Sequence, residues 1–347
     1  SPSRGLGDVY KRQALTSTAV REKIERSEHK RSNFGRWLRG DQAPAAILFL
    51  IALLLGGVIC LKDSSFVSSF NINAILFSAA ALIFMGLSQQ TVVMGAGFDL
   101  SVGPLAGLMV VIASYFVVDK GNVFVGFLLI ILTALLSGLL NAFVIVKLKV
   151  NPVVLTLATF MLYQGLYLLW RPTPGGSFKS GITALFSKTI GPIPVMFILA
   201  ALLALFAEYI SRRTKFGLAL RATGSRRDAA QKLGIKVDKI SFTSYMLSSI
   251  LTIPTALILI ALIGIGDGRP GLAYTLQSIT VVVLAGTSIF GGRGSFFGLI
   301  IAGVLLQQVL ATAPFLSLPE DWTYWLGGGI TVVASTLFAQ IRIARNK

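Results

Sequence analysis

Apolar residues in this chain form long continuous runs, and short polar stretches rich in Gly and Pro divide them. The runs cover 43–61, 73–90, 100–118, 123–146, 152–170, 194–210, 241–265, 275–290, 296–315 and 324–341. Each is near the roughly 20 residues that a helix needs to cross a hydrocarbon core. Backbone groups in lipid must bond within their own segment, so runs of this kind predict helices rather than strands. The second and eighth are short or weak. The pattern predicts an all-α polytopic membrane protein with about ten transmembrane helices.

Composition agrees: 54% of the 347 residues are hydrophobic and 13% charged, and the mean hydropathy is +0.77, far from the balance of a soluble domain. The net charge of +17 raises the question of nucleic acid, but its distribution answers differently. With a cytoplasmic N-terminus, ten spans place 25 of the 31 Lys and Arg inside. Only Lys62, Lys120, Arg171, Lys179, Lys188 and Arg269 fall outside. That asymmetry predicts that both termini are cytoplasmic. Basic flanks held against anionic lipid account for most of the charge, so membrane lipid is the expected contact and nucleic acid is not. The single cysteine, Cys60, excludes an intrachain disulfide and a thiolate metal cluster. The lone histidine, His29, lies in the charged tail and reads as a solvated residue.

The chain divides into a basic cytoplasmic tail, 1–42, and a transmembrane domain, 43–347. Residues 1–13, SPSRGLGDVYKRQ, have no apolar region for a signal peptide and read as translated adapter rather than native sequence. The remainder of the tail alternates charges, as suits a helix or disordered lead on the cytoplasmic surface. The longest loop between spans, 211–240, is strongly basic and hence cytoplasmic.

Two polar interruptions stand out, GAGFDLSVG at 95–103 and FGGRGS at 290–295. Each follows a threonine, Thr91 or Thr287, by a similar distance; with two residues gapped, Ser101 aligns with Ser295 and Gly103 with Gly298. The alignment reads either as a parallel internal repeat, an arrangement known among transporters, or as chance likeness between Gly-rich breaks. Within the first, Asp99 is the only acid left away from a charged loop. A carboxylate at the bilayer centre costs about 2.5 to 3.5 kcal/mol, so it must face protein or a water-filled cavity. Asp99, with Ser101 beside it, then caps the following half-helix or lines a solute path. Asn141, Thr156 and Gln164 are further intramembrane polar groups, placed either to bond between helices or to line the same path. The turn at 147–151 joins two spans as an antiparallel hairpin, with Pro152 starting the second helix where its missing N–H costs nothing.

The stretch GSRRDAAQKLG, 224–234, has the signals of a short polar helix. Ser225 followed by Asp228 gives a capping-box-like start, and Gly234 a stop. About nine helical residues are marginal alone in water, so the helix is expected to dock. Its apolar face of Ala229, Ala230 and Leu233 is small for a lipid anchor and better suited to a groove on another protein. The chain contains no G-x-x-x-x-G-K-[ST] phosphate cradle, HExxH, C-x-x-C or Gly-x-Ser-x-Gly element. No catalytic residue, metal ligand or bound cofactor is therefore expected, and any driving energy comes from another chain.

Four stretches carry a resemblance. MGAGFDLSVGPLAGL looks like the GGIDLSVG signature of ribose-type ABC permeases, and NAFVIVKLKVNPVVLTLATF is similar to that family's stretch around NG…KLKIPPFIATL. RRTKFGLALRATGSRRDAAQKLGIKV resembles its cytoplasmic coupling segment, and VVLAGTSIFGGRGSFFG its VVLGGTSLFGGRGS element. The resemblance implies an inner-membrane permease with the ABC importer fold, dimerising with itself or with a related permease around a translocation path. It implies a periplasmic or lipid-anchored solute-binding protein and a cytoplasmic ATPase subunit that holds ATP and magnesium. By it, Gly224, Ser225, Asp228, Ala229, Ala230 and Gly234 mark the coupling helix to that ATPase. The implied cargo is a simple sugar such as a pentose; nucleosides, a furanosyl signalling molecule or branched-chain amino acids are alternatives within the same machine. A stand-alone channel or ion-coupled carrier is the other class, against which the sparse intramembrane charges speak. Ala96 stands where the family has glycine, Phe98 where it has isoleucine, Ser225-Arg226 where it has Asn-Glu or Asn-Pro, and Gln164 where arginine is common.

Overall fold

Six of the predicted runs become helices with nearly the expected bounds: α1 (Ala43–Lys62), α3 (Val102–Ala113, extended by a π-helical turn Ser114–Asp119), α4 (Val123–Lys147), α5 (Pro152–Trp170), α7 (Val195–Arg213) and the continuous pair α10 (Val237–Leu251) and α11 (Ile253–Ile263). The structure is a computed structural model and describes residues 43–319, 321–323, 325–330, 332–333 and 336. The predicted tail 1–42 lies outside the described residues, as does much of the tenth run, 324–341. Among the described residues, 7 helices are long and apolar enough to cross a membrane. Two shorter apolar helices, α12 (Pro270–Leu284) and α13 (Phe296–Leu310), stand at the eighth and ninth runs.

The second run departs from expectation. It is not short: α2 (Ser69–Met94) has 26 residues. The sequence hid its length because it begins and ends in polar residues. Ser68 starts it by accepting from the Asn71 N–H (3.3 Å), the Asn71 amide donates to the Phe66 carbonyl (2.7 Å), and Ser88, Gln89, Gln90 and Thr91 interrupt its last turns. Those four are tolerated because α2 is surrounded by protein: every residue from Ala79 to Met94 is buried. Helix α2 packs against α7, α10, α11, α12 and α13. By contrast α1, α4 and α5 leave large apolar side chains uncovered, Leu61 at 90% and Phe124 at 76% exposed among them. This outer surface suits lipid, where apolar exposure carries no cost.

Local signals explain most boundaries. Asn151 accepts from the Val153 N–H (2.9 Å) and Pro152 opens α5; Asn122 caps α4 through the Val125 N–H (3.0 Å). Pro254 separates α10 from α11 within one continuous span, as its missing N–H and ring demand. The eighth run is shifted, since Pro270 starts α12 early and Gly286, at φ +81°, follows its end. Between α5 and α7, residues 171–193 form α6 (Ser180–Phe186) and an antiparallel pair, β1 (Thr189–Ile190) and β2 (Ile193–Pro194), in register Thr189 with Pro194 and Ile190 with Ile193. The loop expected at 211–240 is largely helical, holding α8 (Lys215–Ser225) and α9 (Arg227–Lys232). A last short helix, α14 (Thr312–Phe315), follows α13.

Helices α3 and α12 approach closely along small residues. A Cβ on Gly107 would overlap the backbone of Gly268, and one on Gly103 would overlap the Thr275 hydroxyl and the Gly271 carbonyl. Close backbone approach through small side chains is a principal means of association for helices in lipid, where no hydrophobic force draws them together. Gly107→Val is expected to destabilise the protein by about 3 kcal/mol, the upper end of overpacking costs. A fall in thermal midpoint in detergent, read by the loss of monodisperse protein, checks it.

Candidate functional site

After α2 the chain turns and re-enters the bundle. Gly95, Ala96 and Gly97 close the helix with N–H bonds to Val92, Val93 and Val92 carbonyls at 3.0, 2.9 and 3.1 Å, and Ala96 takes the left-handed conformation at φ +62°. The chain then runs back beside α10, where the buried Asp99 carboxylate accepts from Ser248 Oγ (3.0 Å), and on to α12, where Gly103 packs on Gly271. Asp99 also accepts from the Ser101 N–H (3.0 Å) and Ser101 Oγ (2.6 Å).

These bonds belong to a larger belt. Ser101 Oγ accepts from Asn141 Nδ2 on α4 (3.0 Å), and Asn141 Oδ1 accepts from Thr159 Oγ1 on α5 (3.1 Å). In the other direction Ser248 Oγ lies 2.9 Å from Ser88 Oγ on α2, which in turn lies 3.3 Å from Thr252 Oγ1. All of these residues are buried. The carboxylate is thus held by three donors that carry no charge, and the belt ties α5, α4, the re-entrant segment, α10 and α2 at one level.

Of the two roles expected of Asp99, the local geometry bears on the helix cap. Ser101, not Asp99, occupies the N-cap position of α3, and its side chain makes no cap bond because it is turned to Asp99. Asp99 therefore fixes the break rather than the helix. Ser101 and Asn141 share its belt. Thr156 is buried but bonds to the Pro152 carbonyl of its own helix (2.8 Å), and the half-buried Gln164 joins none of these bonds. Ser88, Thr159, Ser248 and Thr252 were missed by sequence reasoning; their signal was the presence of hydroxyls inside apolar runs. The serines aligned across the two interruptions both hold N-cap positions, Ser101 before α3 and Ser295 before α13, where Ser295 Oγ accepts from the Gly298 N–H (3.2 Å).

The segment 224–234 differs from its expected form. Ser225 is the last residue of α8, and extended Arg226 (φ −155°) takes the N-cap place of α9, so no capping box forms. Arg226 interrupts what would otherwise be one helix, leaving α9 with 6 residues rather than about nine. Asp228 stands in its first turn, the favourable end of the helix dipole. Gly234, at φ +81°, ends it as expected: its N–H bonds to the Gln231 carbonyl (2.9 Å) and that of Ile235 to Ala230 (3.1 Å), a Schellman closure. Ala230 is turned inward at 2% exposure, whereas Ala229 is exposed and Leu233 is 80% exposed.

Gly224, just before, is where both interruptions meet. A Cβ there would overlap the Met94 carbonyl and come within 2.6 Å of the Gly292 nitrogen, while the Gly292 N–H itself donates to Met94 O (3.0 Å). Arg221 donates to the Gly294 carbonyl (2.9 Å) from the same helix. On the other side Asp238 bridges Arg227 (2.8 Å) of α9 and Lys149 (3.1 Å) of the turn between α4 and α5. Between these parts lies a cavity of about 370 Å³ lined by Gly95, Ala96, Gly97, Lys149, Arg227 and Tyr245, among others. Tyr245 OH donates to the Phe98 carbonyl (3.4 Å) at its inner edge.

Residues 71–335 match the family described as the permease component of branched-chain amino acid transport systems. The autoinducer 2 import system permease protein LsrC of Photorhabdus laumondii subsp. laumondii is 27% identical over 307 residues, covering 87% of this chain and 91% of the relative. The protein of the same description from Escherichia coli O9:H4 (strain HS) is 24% identical over 314 residues, 89% of this chain and 90% of the relative. That of Shigella flexneri has the same identity and coverage, 24% over 314 residues, 89% and 90%. No solved structure matches.

Two variants test the break. A non-glycine residue in the left-handed region pays about 1 to 2 kcal/mol, partly offset by the extra freedom glycine gives the unfolded chain. Ala96→Gly should therefore stabilise the protein by about 1 kcal/mol and raise its thermal midpoint. Asp99→Leu strips three buried donors of their acceptor and is expected to cost about 3 kcal/mol or more, read as a lower midpoint in the same assay.

Proposed function

The chain belongs to the permease-component family of branched-chain amino acid transport systems, and from that membership and its likeness to autoinducer 2 permeases we propose that its cargo is a small, neutral, furanosyl polyol. It is the multi-pass inner-membrane permease of a sugar-type ABC importer, a transport subunit that works with an ATPase and a solute-binding protein. The observation that carries the cargo reading is the belt around Asp99. Its members other than the carboxylate are hydroxyl and amide groups, which exchange bonds with sugar hydroxyls and offer no cation for an amino-acid carboxylate.

The path runs along the re-entrant segment, with Asp99, Ser101 and Asn141 at its narrowest level and the cavity at 95–97 as its inner mouth. Ten spans with both termini in the cytoplasm put that mouth, α8 and α9 on the cytoplasmic side, consistent with the basic charge there. ATP and magnesium are held by the partner ATPase, whose groove receives α9. Gly224, Ser225, Asp228, Ala229 and Gly234 form or flank the docking element; Ala230 anchors it inward. Two permease copies enclose one path, because an ATPase dimer offers two grooves. Movement of α9 is passed through Gly224 to both interruptions as a rigid-body shift, and the ATPase drives it by contacting its two states unequally.

Proteoliposomes holding the permease and its ATPase, with ATP enclosed and the binding protein outside, test this. ATP-dependent accumulation of a furanosyl solute of the autoinducer 2 class, suppressed by unlabelled ribose only at high excess, is expected; accumulation of leucine in its place would overturn the cargo reading. Leu233→Asp, at an exposed position, should leave the permease folded but lower ATP-driven uptake at least tenfold and weaken co-purification of the ATPase. Ala230→Asp, at a buried one, should instead lower the yield of folded permease.

A further inference from the structure

Helix α2 carries a group that the belt does not use. Gln89 is fully buried, yet neither its carboxamide oxygen nor its nitrogen has a hydrogen-bond partner. An unpaired amide in an apolar interior costs roughly 1 to 3 kcal/mol by protein data, and a purely structural position is filled more stably by leucine or methionine.

Its place on the helix is specific. Ser88 faces Ser248 and Thr252 on α10 and the turn after it, and Gly86 faces Val281 of α12 and Leu299 of α13. Gln89, about 100° round from Ser88, lies on the arc between those two faces. The re-entrant chain spans that interval, since Asp99 bonds to Ser248 of α10 and Gly103 packs on Thr275 of α12. Thr275, at the far end of the interval, is a second buried polar group whose hydroxyl oxygen has no partner. Of these two unsatisfied neutral groups, Thr275 stands against Gly103, and the helical periodicity of α2 turns Gln89 toward the interval between α10 and α12 that the segment 99–103 bridges.

We infer that Gln89 and Thr275 are solute-contacting residues, shut off in this conformation and uncovered when the segment 99–103 moves, where they take hydrogen bonds from and give them to the hydroxyls of a neutral polyol. The inference rests on the reading of the protein as a permease for such a cargo. Both groups are uncharged and both can donate and accept, which suits a sugar hydroxyl. Leaving them unpaired here avoids a competing intramolecular bond that cargo would have to break.

Gln89→Met and Thr275→Val keep volume and remove the polar atoms. In the assembled transporter with its ATPase and binding protein, each is expected to leave the thermal midpoint unchanged or raised and to retain ATP hydrolysis stimulated by loaded binding protein. Each should lower uptake of the furanosyl solute at least tenfold, with the double variant lower still. Gln89→Asn, which keeps an amide, should recover part of the uptake. Wild-type uptake in either single variant overturns the inference; so does a lowered midpoint, which marks the group as bonded to structural water instead. If the wild-type assembly carries some other solute, the cargo reading fails, and the same variants measured with that solute still decide the role of Gln89 and Thr275.

Discussion

One carboxylate at membrane depth constrains the middle of this molecule. Asp99 cannot be left unpaired in an apolar interior without several kcal/mol of desolvation cost. Here it is held by Ser101 and Ser248. Those donors are themselves fixed by Asn141, Thr159 and Ser88, so satisfying one charge sets the relative positions of α2, α4, α5 and α10. The same requirement bears on the irregular backbone at 95–101, which is buried at Gly97, Asp99 and Ser101 and lines the cavity at 95–97; burial in protein and the lining of a cavity are the circumstances in which non-helical chain is tolerated within a membrane.

Much of the fold was legible because lipid imposes its demand on composition directly. Spans such as 123–146 and 152–170 were bounded to within a residue, since their ends carry Asn122, Lys147, Asn151 and Pro152. The demand is silent where a helix is covered by protein on all sides. Helix α2 could therefore carry Ser88 to Thr91 and read as short, although every residue from Ala79 to Met94 is buried. The belt was half legible. Asp99, Ser101 and Asn141 announced themselves as polar residues in apolar surroundings, but their pairing with Ser248 and Thr159 depends on contacts 149 and 18 residues apart in sequence, which no local pattern encodes. The helix at 224–234 was legible in its stop and not in its start. Gly234 is required by a positive φ, whereas Ser225 has a capping residue's chemistry without its backbone, because α8 continues through it.

The departure at Ala96 has a physical meaning. The position is left-handed in this protein, which is the reason a glycine suits it in the family that the sequence resembles. Alanine there stores backbone strain at the one turn that joins the central helix to the re-entrant segment, next to Gly291, where an added Cβ would stand 2.9 Å from that of Ala96. Strain of this kind persists only where the surroundings over-determine it, and the belt on one side and Gly224 on the other supply that determination.

Two of the contacts that tie the α8–α9 segment to the bundle differ in strength. The bridge from Arg227 through Asp238 to Lys149 joins side chains that are 48%, 49% and 63% exposed. Ion pairs in such positions are worth at most about 1 kcal/mol and weaken with salt. The contact at Gly224 is backbone on backbone, with no room for a single carbon between α8 and the Met94 carbonyl. Repulsion at that distance rises steeply, so α8 cannot approach the end of α2 without displacing it. Because the Gly292 N–H is bonded to the same carbonyl, the second interruption must follow. A displacement of α8 is therefore opposed by main chain at Gly224, where the ends of both interruptions meet, and the charged bridge adds little to that resistance.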